Sequence, residues 1–125
     1  MEEDIMRIAK IKNKYMYETN DDDNGTHYYL VYYDKKEKRY VAIQLTHLYI
    51  KDKGRFRQVQ NGLIMVEKFK EFEVPSGVRK DVYYTNILGN RIDINDKKNV
   101  VKVYKRYIGK QQSDRIKQFV HKKKT

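Results

Sequence analysis

The sequence predicts a mainly β fold, a small β-barrel of short strands with short helices at the two ends of the chain. Three observations carry this prediction. Aromatic and β-branched residues cluster in short runs, charged or polar turns separate these runs, and helical spacing of apolar residues is clearest near the termini. With 125 residues, the chain is long enough for one domain. We expect a helix within 1–12, the barrel at 14–100 and a basic, partly helical segment at 101–125.

The first elements follow from apolar spacing. Ile5, Ile8 and Ala9 fall on one face of a helix, which places a short helix at the N-terminus. Residues 15–17 (YMY) open the first strand, and the acidic segment at 20–25 ends in an Asn-Gly turn signal. A calcium loop is the alternative interpretation of this segment, but it lacks the glutamate and the spacing of an EF-hand.

Residues 27–33 (HYYLVYY) are the clearest strand, because almost every side chain is aromatic or β-branched. A charged turn at 34–39 separates this run from a return strand at 40–45 (YVAIQL). We therefore expect an antiparallel hairpin. Its open end brings the start of the first strand beside the end of the second.

The second half of the chain predicts shorter strands and a helix. The expected strands lie at 63–66, loosely at 68–74, at 81–87 and around 92–94, with a proline break at 75–77. Residues 100–108 fit a strand or a helix, and their apolar spacing is somewhat closer to a helix. A helix is expected from Ser113, which is placed to be its N-cap, with Ile116, Phe119 and Val120 on its apolar face.

Charge indicates the kind of partner. The chain has 28 Lys and Arg against 17 Asp and Glu, a net charge of +11, together with 12 tyrosines. Lys and Arg displace counterions from a phosphate backbone, and exposed aromatic rings let unpaired bases stack, so we expect a nucleic acid as partner. Solvated surface lysines are the alternative. Residues 102–125 hold nine Lys and Arg against one acid, a net charge of +8.

Several classes of protein are disfavoured. Cysteine is absent, which excludes a disulfide scaffold and a thiolate metal site and suits a reducing cytoplasm. No apolar run approaches the roughly 18 residues of a membrane span. Glycine-rich phosphate loops and dinucleotide fingerprints are missing, and the three histidines are too far apart for a local zinc motif. We expect a cytoplasmic protein with no membrane partner, no metal and no cofactor.

Two histidines and a threonine are the candidate catalytic residues. His27 opens the first strand of the hairpin, and Thr46 and His47 close the second, so all three are expected at one end of the sheet. RNA cleavage without a metal needs a base for the ribose 2′-OH, a cation beside the phosphate and an acid for the leaving oxygen, and imidazoles can fill these roles. Two surface histidines in polar loops are the alternative.

Five segments, in order, resemble the PemK/MazF-like toxins, which are small growth-inhibiting endoribonucleases. The resemblance spans roughly residues 14–100. The segments are KYMY at 14–17, HYYLV at 27–31, VAIQLT at 41–46, SGVRKD at 76–81 and NRID at 90–93. The Gly-Asp that usually precedes the first segment in this family is absent here.

The resemblance implies an SH3-like β-barrel, usually a homodimer, that cuts single-stranded RNA without a metal and is held by a protein antitoxin. Thr46 matches the active-site hydroxyl of the family, and His27 stands where the family has a catalytic arginine. A histidine is a weaker, pH-dependent cation. The departure leaves open a different catalysis, or a barrel kept for binding alone.

Basic side chains near these segments are the expected contacts to the RNA backbone. They are Arg55, Arg57, Arg79, Lys80, Lys102, Lys105 and Arg106. Two other functions use the same charge. The chain is then a non-catalytic nucleic-acid-binding domain, or a small domain of a mobile element or phage that inhibits a protein by docking on its acidic surface.

Overall fold

The computed structural model describes residues 5–50, 55–56, 64–86 and 88–121, with the side chains of 49, 50, 55 and 56 left out. The described residues form ten short elements. They are β1 (Arg7–Lys12), α1 (Asn13–Met16), β2 (Thr26–Asp34), β3 (Arg39–His47), β4 (Tyr49–Ile50), β5 (Arg55–Phe56), β6 (Ile64–Glu67), β7 (Ser76–Tyr83), β8 (Val100–Tyr107) and α2 (Lys110–His121).

Six of these strands form one antiparallel sheet in the order β6-β7-β3-β2-β1-β8. β4 and β5 form a separate two-stranded ladder. The mainly β class is therefore confirmed. Across the described residues the six-stranded sheet stays open, with β6 and β8 as its edges, so closure into a barrel is not confirmed. No helix in the described ranges is long and apolar enough to cross a membrane.

β2 and β3 form the predicted hairpin. Their register runs from Tyr29 opposite Gln44 to Asp34 opposite Arg39. The turn is closed by the Asp34 carboxylate, which accepts hydrogen bonds from two backbone amides of the turn. Lys38 adopts a positive φ of 55° there, which lets the chain reverse direction.

Both faces of the sheet are covered, which explains the unbroken apolar run of β2. Leu30 and Tyr32 point into one core, which α2 closes with Ile116 and Val120. The residues that alternate with them point into a second core, which α1 and the segment around Ile92 close. Strands buried on both faces lose the polar alternation of a half-exposed sheet. We call these two sides the α2 face and the α1 face.

The N-terminal prediction was wrong. Residues 7–12 are not helical but form β1, which lies between β2 and β8. Ile8 packs on the α2 face, whereas Ala9 and Ile11 pack on the α1 face. In so short a segment, apolar residues on both faces of a strand can have the same spacing as the apolar face of a helix. The strand expected at 15–17 is likewise wrong, since Tyr15 and Met16 belong to α1.

Corrections also apply to the second half of the chain. β7 begins at Ser76 and ends at Tyr83, earlier than expected at both ends. The strand expected around 92–94 is not formed, and the neighbouring Arg91 makes only an isolated bridge with Thr85. The loose edge at 68–74 forms no strand.

The C-terminal segment combines a strand and a helix. Residues 100–107 are β8 rather than a helix, because they pair along β1. α2 confirms the expected helix, but it begins at Lys110, so Ser113 is not its N-cap. Ser113 is instead buried inside the helix, where its backbone amide donates to the Gly109 carbonyl.

Candidate active site

A cavity of about 200 Å³ lies at the open end of the β2–β3 hairpin. The two strands and the segment around β7 supply its wall. The lining residues are Thr26, His27, Tyr28, Leu45, Thr46, His47, Phe72 and Ser76. The three predicted catalytic residues therefore reach one cavity, as the antiparallel hairpin leads one to expect. Their catalytic role stays a prediction.

The sheet register explains why these side chains meet. β2 begins at Thr26 and β3 ends at His47, and the pairing of Tyr29 with Gln44 leads toward these two ends. β7 then aligns its first residues with the end of β3, with Thr46 opposite Gly77 and His47 opposite Ser76. Three neighbouring strands thus place polar groups at one end of the sheet.

His27 is held by a residue of α1. Its Nδ1 lies 2.5 Å from the Asn13 side-chain oxygen, and the ring makes an edge contact with Tyr17 at 6.0 Å between centroids. An amide oxygen only accepts hydrogen bonds, so Nδ1 must donate the proton. In the neutral ring this leaves Nε2 as the acceptor, the form that a general base requires.

The surroundings of His27 favour its neutral form. Burial lowers the pKa of this imidazole below its ordinary 6.5, and the electrostatic effects of His47 and Arg79 lower it further against the opposing effect of Asp23. Desolvation penalises the charged ring, and like charges do the same. These surroundings therefore favour the ring that carries no charge, whose Nε2 can accept a proton.

Aromatic side chains form the wall of the cavity on the α2 face. The Tyr28 ring makes edge contacts with His47 at 6.5 Å and with Phe72 at 5.0 Å between centroids. Tyr28 therefore contacts the exposed His47 ring on one side and Phe72 on another. Edge-to-face geometry of this kind adds stability beyond the area that it buries.

Gly77 makes room for Thr46. A Cβ atom at this position would lie 2.7 Å from Ile64 Cγ2, 2.8 Å from Thr46 Cγ2 and 3.0 Å from Leu48 Cδ2. β-branched side chains have little rotamer freedom with which to move away. The absence of a side chain at 77 therefore sets the position of Thr46 in the cavity wall.

Arg79 and Lys80 do not act from the same side. Arg79 lies on the α1 face near His27 and pairs with Asp81 at 3.5 Å, with both side chains well exposed. Lys80 lies on the α2 face, with its ammonium 5.7 Å from the Phe119 ring centre. Alternation along β7 separates them, and of the two only Arg79 acts electrostatically on the His27 ring.

The remaining basic candidates lie in different places. Lys102 and Lys105 are exposed on β8. Arg106 is committed to Glu71, with two hydrogen bonds of 2.7 Å that neutralise its charge within the chain. The Arg55 side chain and the whole of Arg57 lie outside the described residues.

Most of the described tyrosines are buried or partly buried and serve the fold rather than an exposed stacking surface. The Tyr17 hydroxyl donates to Gln44 Oε1 at 2.5 Å and accepts from Tyr29 at 3.1 Å. Burial raises the pKa of the Tyr83 hydroxyl to about 12, and burial likewise raises the pKa of Tyr29. This network supports the α1 side of the site. Tyr107 is 42% exposed at the sheet edge.

Sequence reasoning missed Asn13, Gly77 and the Tyr17–Gln44 pair. Asn13 acts through tertiary contact with a residue 14 positions away, and no local pattern marks it. Gly77 carried a signal, since a lone glycine inside a strand pattern indicates close approach of neighbouring atoms.

Comparison with known proteins adds no assignment. No protein-family model matches the chain, and no curated protein or solved structure gives a significant match. The function must therefore be argued from the residues of the cavity themselves.

Proposed function

We propose that this protein is a metal-independent endoribonuclease that cleaves single-stranded RNA, of the toxin type that the PemK/MazF-like resemblance implies. The observation that carries the proposal is the meeting of two imidazoles and a hydroxyl, from His27, His47 and Thr46, around one cavity. His27 stands where the family has a catalytic arginine, and the positive charge of Arg79 acts on its imidazole. Under this proposal the six-stranded sheet is a form of the SH3-like barrel.

The proposed chemistry is an internal transfer to phosphorus. His27 Nε2 accepts the proton of a ribose 2′-OH, and the 2′ oxygen attacks the adjacent phosphorus. The bond to the 5′ oxygen breaks, and this oxygen takes a proton from His47. The products are a 2′,3′-cyclic phosphate and a 5′-hydroxyl. Arg79 and the Thr46 hydroxyl stabilise the charge that develops on the phosphate oxygens.

The proposal extends to the protein's partners and location. A toxin of this type forms a homodimer, is held by a protein antitoxin and works in the cytoplasm, where single-stranded RNA is its substrate. The net charge of +11 supports the RNA partner, because cationic proteins attract phosphate backbones.

Digestion of a short single-stranded RNA by the purified protein in EDTA tests the proposal. We expect cleavage by the native chain and a loss of about 10²–10⁴-fold in His27→Ala and His47→Ala, the usual contribution of general acid–base catalysis. Thr46→Ala is compared alongside. His121→Ala is the matched control, since this histidine lies at the end of α2 and contacts Tyr32.

The pH dependence gives a second readout. The pKa of His27 is lowered, so the ring loses its proton at a pH below 6.5. The acidic limb of the rate profile should therefore have its midpoint below pH 6.5. RNA left intact by the native protein and every variant refutes the enzyme. Salt-sensitive RNA binding without product would then indicate the non-catalytic binding domain.

A further inference from the structure

Two lysines face each other across the β1–β8 ladder. Lys10 and Lys102 are direct register partners, which places their Cβ atoms about 4.5–5.5 Å apart on the same face of the sheet. Like charges directly opposite each other in a ladder are destabilising. Within the ladder itself, this pair therefore weakens the association of β1 with β8.

No acid offsets this pair within the described part of the chain. The ion pairs found there join other residues. Glu71, the acid that acts on the neighbouring Tyr104, makes both of its short contacts with Arg106. The two ammonium groups are thus left with aromatic rings as their neighbours.

Each ammonium lies over a tyrosine of the α2 face. Lys10 Nζ lies 5.6 Å from the Tyr28 ring centre and Lys102 Nζ lies 4.4 Å from the Tyr104 ring centre. The two rings meet edge to face at 6.3 Å. Cation–π contacts at exposed sites hold such side chains in place while their charge stays open to water and anions.

The lysine pair lies beside the candidate active site. Tyr28 lines the cavity, contacts the His47 ring and is the register partner of Lys10 on β2. His47, Tyr28, Lys10 and Lys102 therefore form a continuous strip that crosses strands about 4.8 Å apart. The β1–β8 register shifts beside the lysine pair, between Lys10 and Ile11, so the regular ladder is interrupted at this point.

We propose that Lys10 and Lys102 together bind a backbone phosphate of single-stranded RNA next to the one cleaved in the cavity. The inference rests on the proposed function and adds a path for the RNA strand. This path runs from the open end of the hairpin across β1 to the β8 edge. A phosphate between the two ammonium groups replaces their repulsion with two attractive contacts. The rings of Tyr28 and Tyr104 keep both side chains in position.

Binding of a twelve-nucleotide 2′-O-methyl oligouridine tests this site without cleavage, because its 2′ oxygen cannot attack. Affinity is measured between 50 and 300 mM salt for the native protein, Lys10→Gln, Lys102→Gln and the double variant. We expect each single change to weaken binding about fivefold at 0.1 M salt and to lower the salt slope by about 0.7. Lys36→Gln/Lys38→Gln, at the opposite end of the hairpin, is the charge-matched control and should change little.

Folding and function are separated by two further readouts. The urea midpoint of the double variant should be no lower than that of the native protein, since a repulsive pair is removed. If the lysine variants and the control lose affinity equally, or the native protein does not bind, the phosphate site is refuted. Weakened binding in the lysine variants, with no cleavage of unmodified RNA by the native protein, would retain the site and reject the nuclease.

Discussion

Replacing Arg106 with methionine tests the most strongly bonded ion pair of the described chain. The guanidinium donates two hydrogen bonds of 2.7 Å to Glu71, whose side chain is only 7% exposed, whereas Arg106 itself is 35% exposed. Arg106→Met leaves the carboxylate nearly buried without its partner. Breaking a fully buried pair costs about 3–5 kcal/mol, and partial exposure of the arginine reduces this to about 1–3 kcal/mol.

Urea unfolding at pH 7 measures this cost, which should lower the midpoint by about 1 M. Arg106 holds the pKa of Glu71 below its usual 4.5, so the stabilisation is complete above pH 4.5 and is lost as the pH falls through the lowered folded-state value. The difference between the two proteins should therefore shrink in acid. Lys105→Met, at the exposed neighbouring position, is the control. A variant as stable as the native protein that binds RNA more weakly would show that Arg106 serves the RNA instead.

Three further changes test the site and the core. Gly77→Ala should destabilise the chain by about 1–3 kcal/mol, because the new methyl group would lie 2.7–2.8 Å from two β-branched side chains, whereas Gly109→Ala meets nothing within 4 Å and should fold normally in the same thermal melts. Tyr17→Phe should lower the free energy of unfolding in urea by about 1–2 kcal/mol, because the buried Gln44 and Tyr29 side chains both lose the Tyr17 hydroxyl as a hydrogen-bond partner. An unchanged urea midpoint would contradict a stabilising role for these hydrogen bonds. Ile116→Ala, fully buried, should cost about 2–5 kcal/mol, and the exposed Gln118→Ala less than about 0.5 kcal/mol; equal effects would contradict the packing of α2.

Within the described residues, the six-stranded sheet has two edge strands, β8 and β6, which are protected in different ways. β8 carries Lys102 and Lys105 along its exposed length, and charged side chains discourage an edge strand from pairing with another copy. Arg115 and Gln112 of α2 instead bond to Glu67 on β6. The helix therefore stabilises the β6 edge as well as one core.

The β2–β3 hairpin and the helix near the C-terminus could be read from the sequence, because both depend on contacts between near neighbours. The aromatic run at 27–33 and the charged turn after it determine the hairpin, and the hairpin alone brings His27 to Thr46 and His47. In an antiparallel hairpin with a short loop, the first residues of one strand lie beside the last residues of the next.

Only the tertiary structure decided that residues 7–12 form a strand, that Asn13 orients His27, that Arg106 serves Glu71 and that Lys10 faces Lys102. The physical reason is common to all four. Each depends on pairing or burial between segments that local spacing does not relate, and a strand buried on both faces carries no period of two. The sequence supplied the charges and the imidazoles, and the order of strands in the sheet decided which of them lie together.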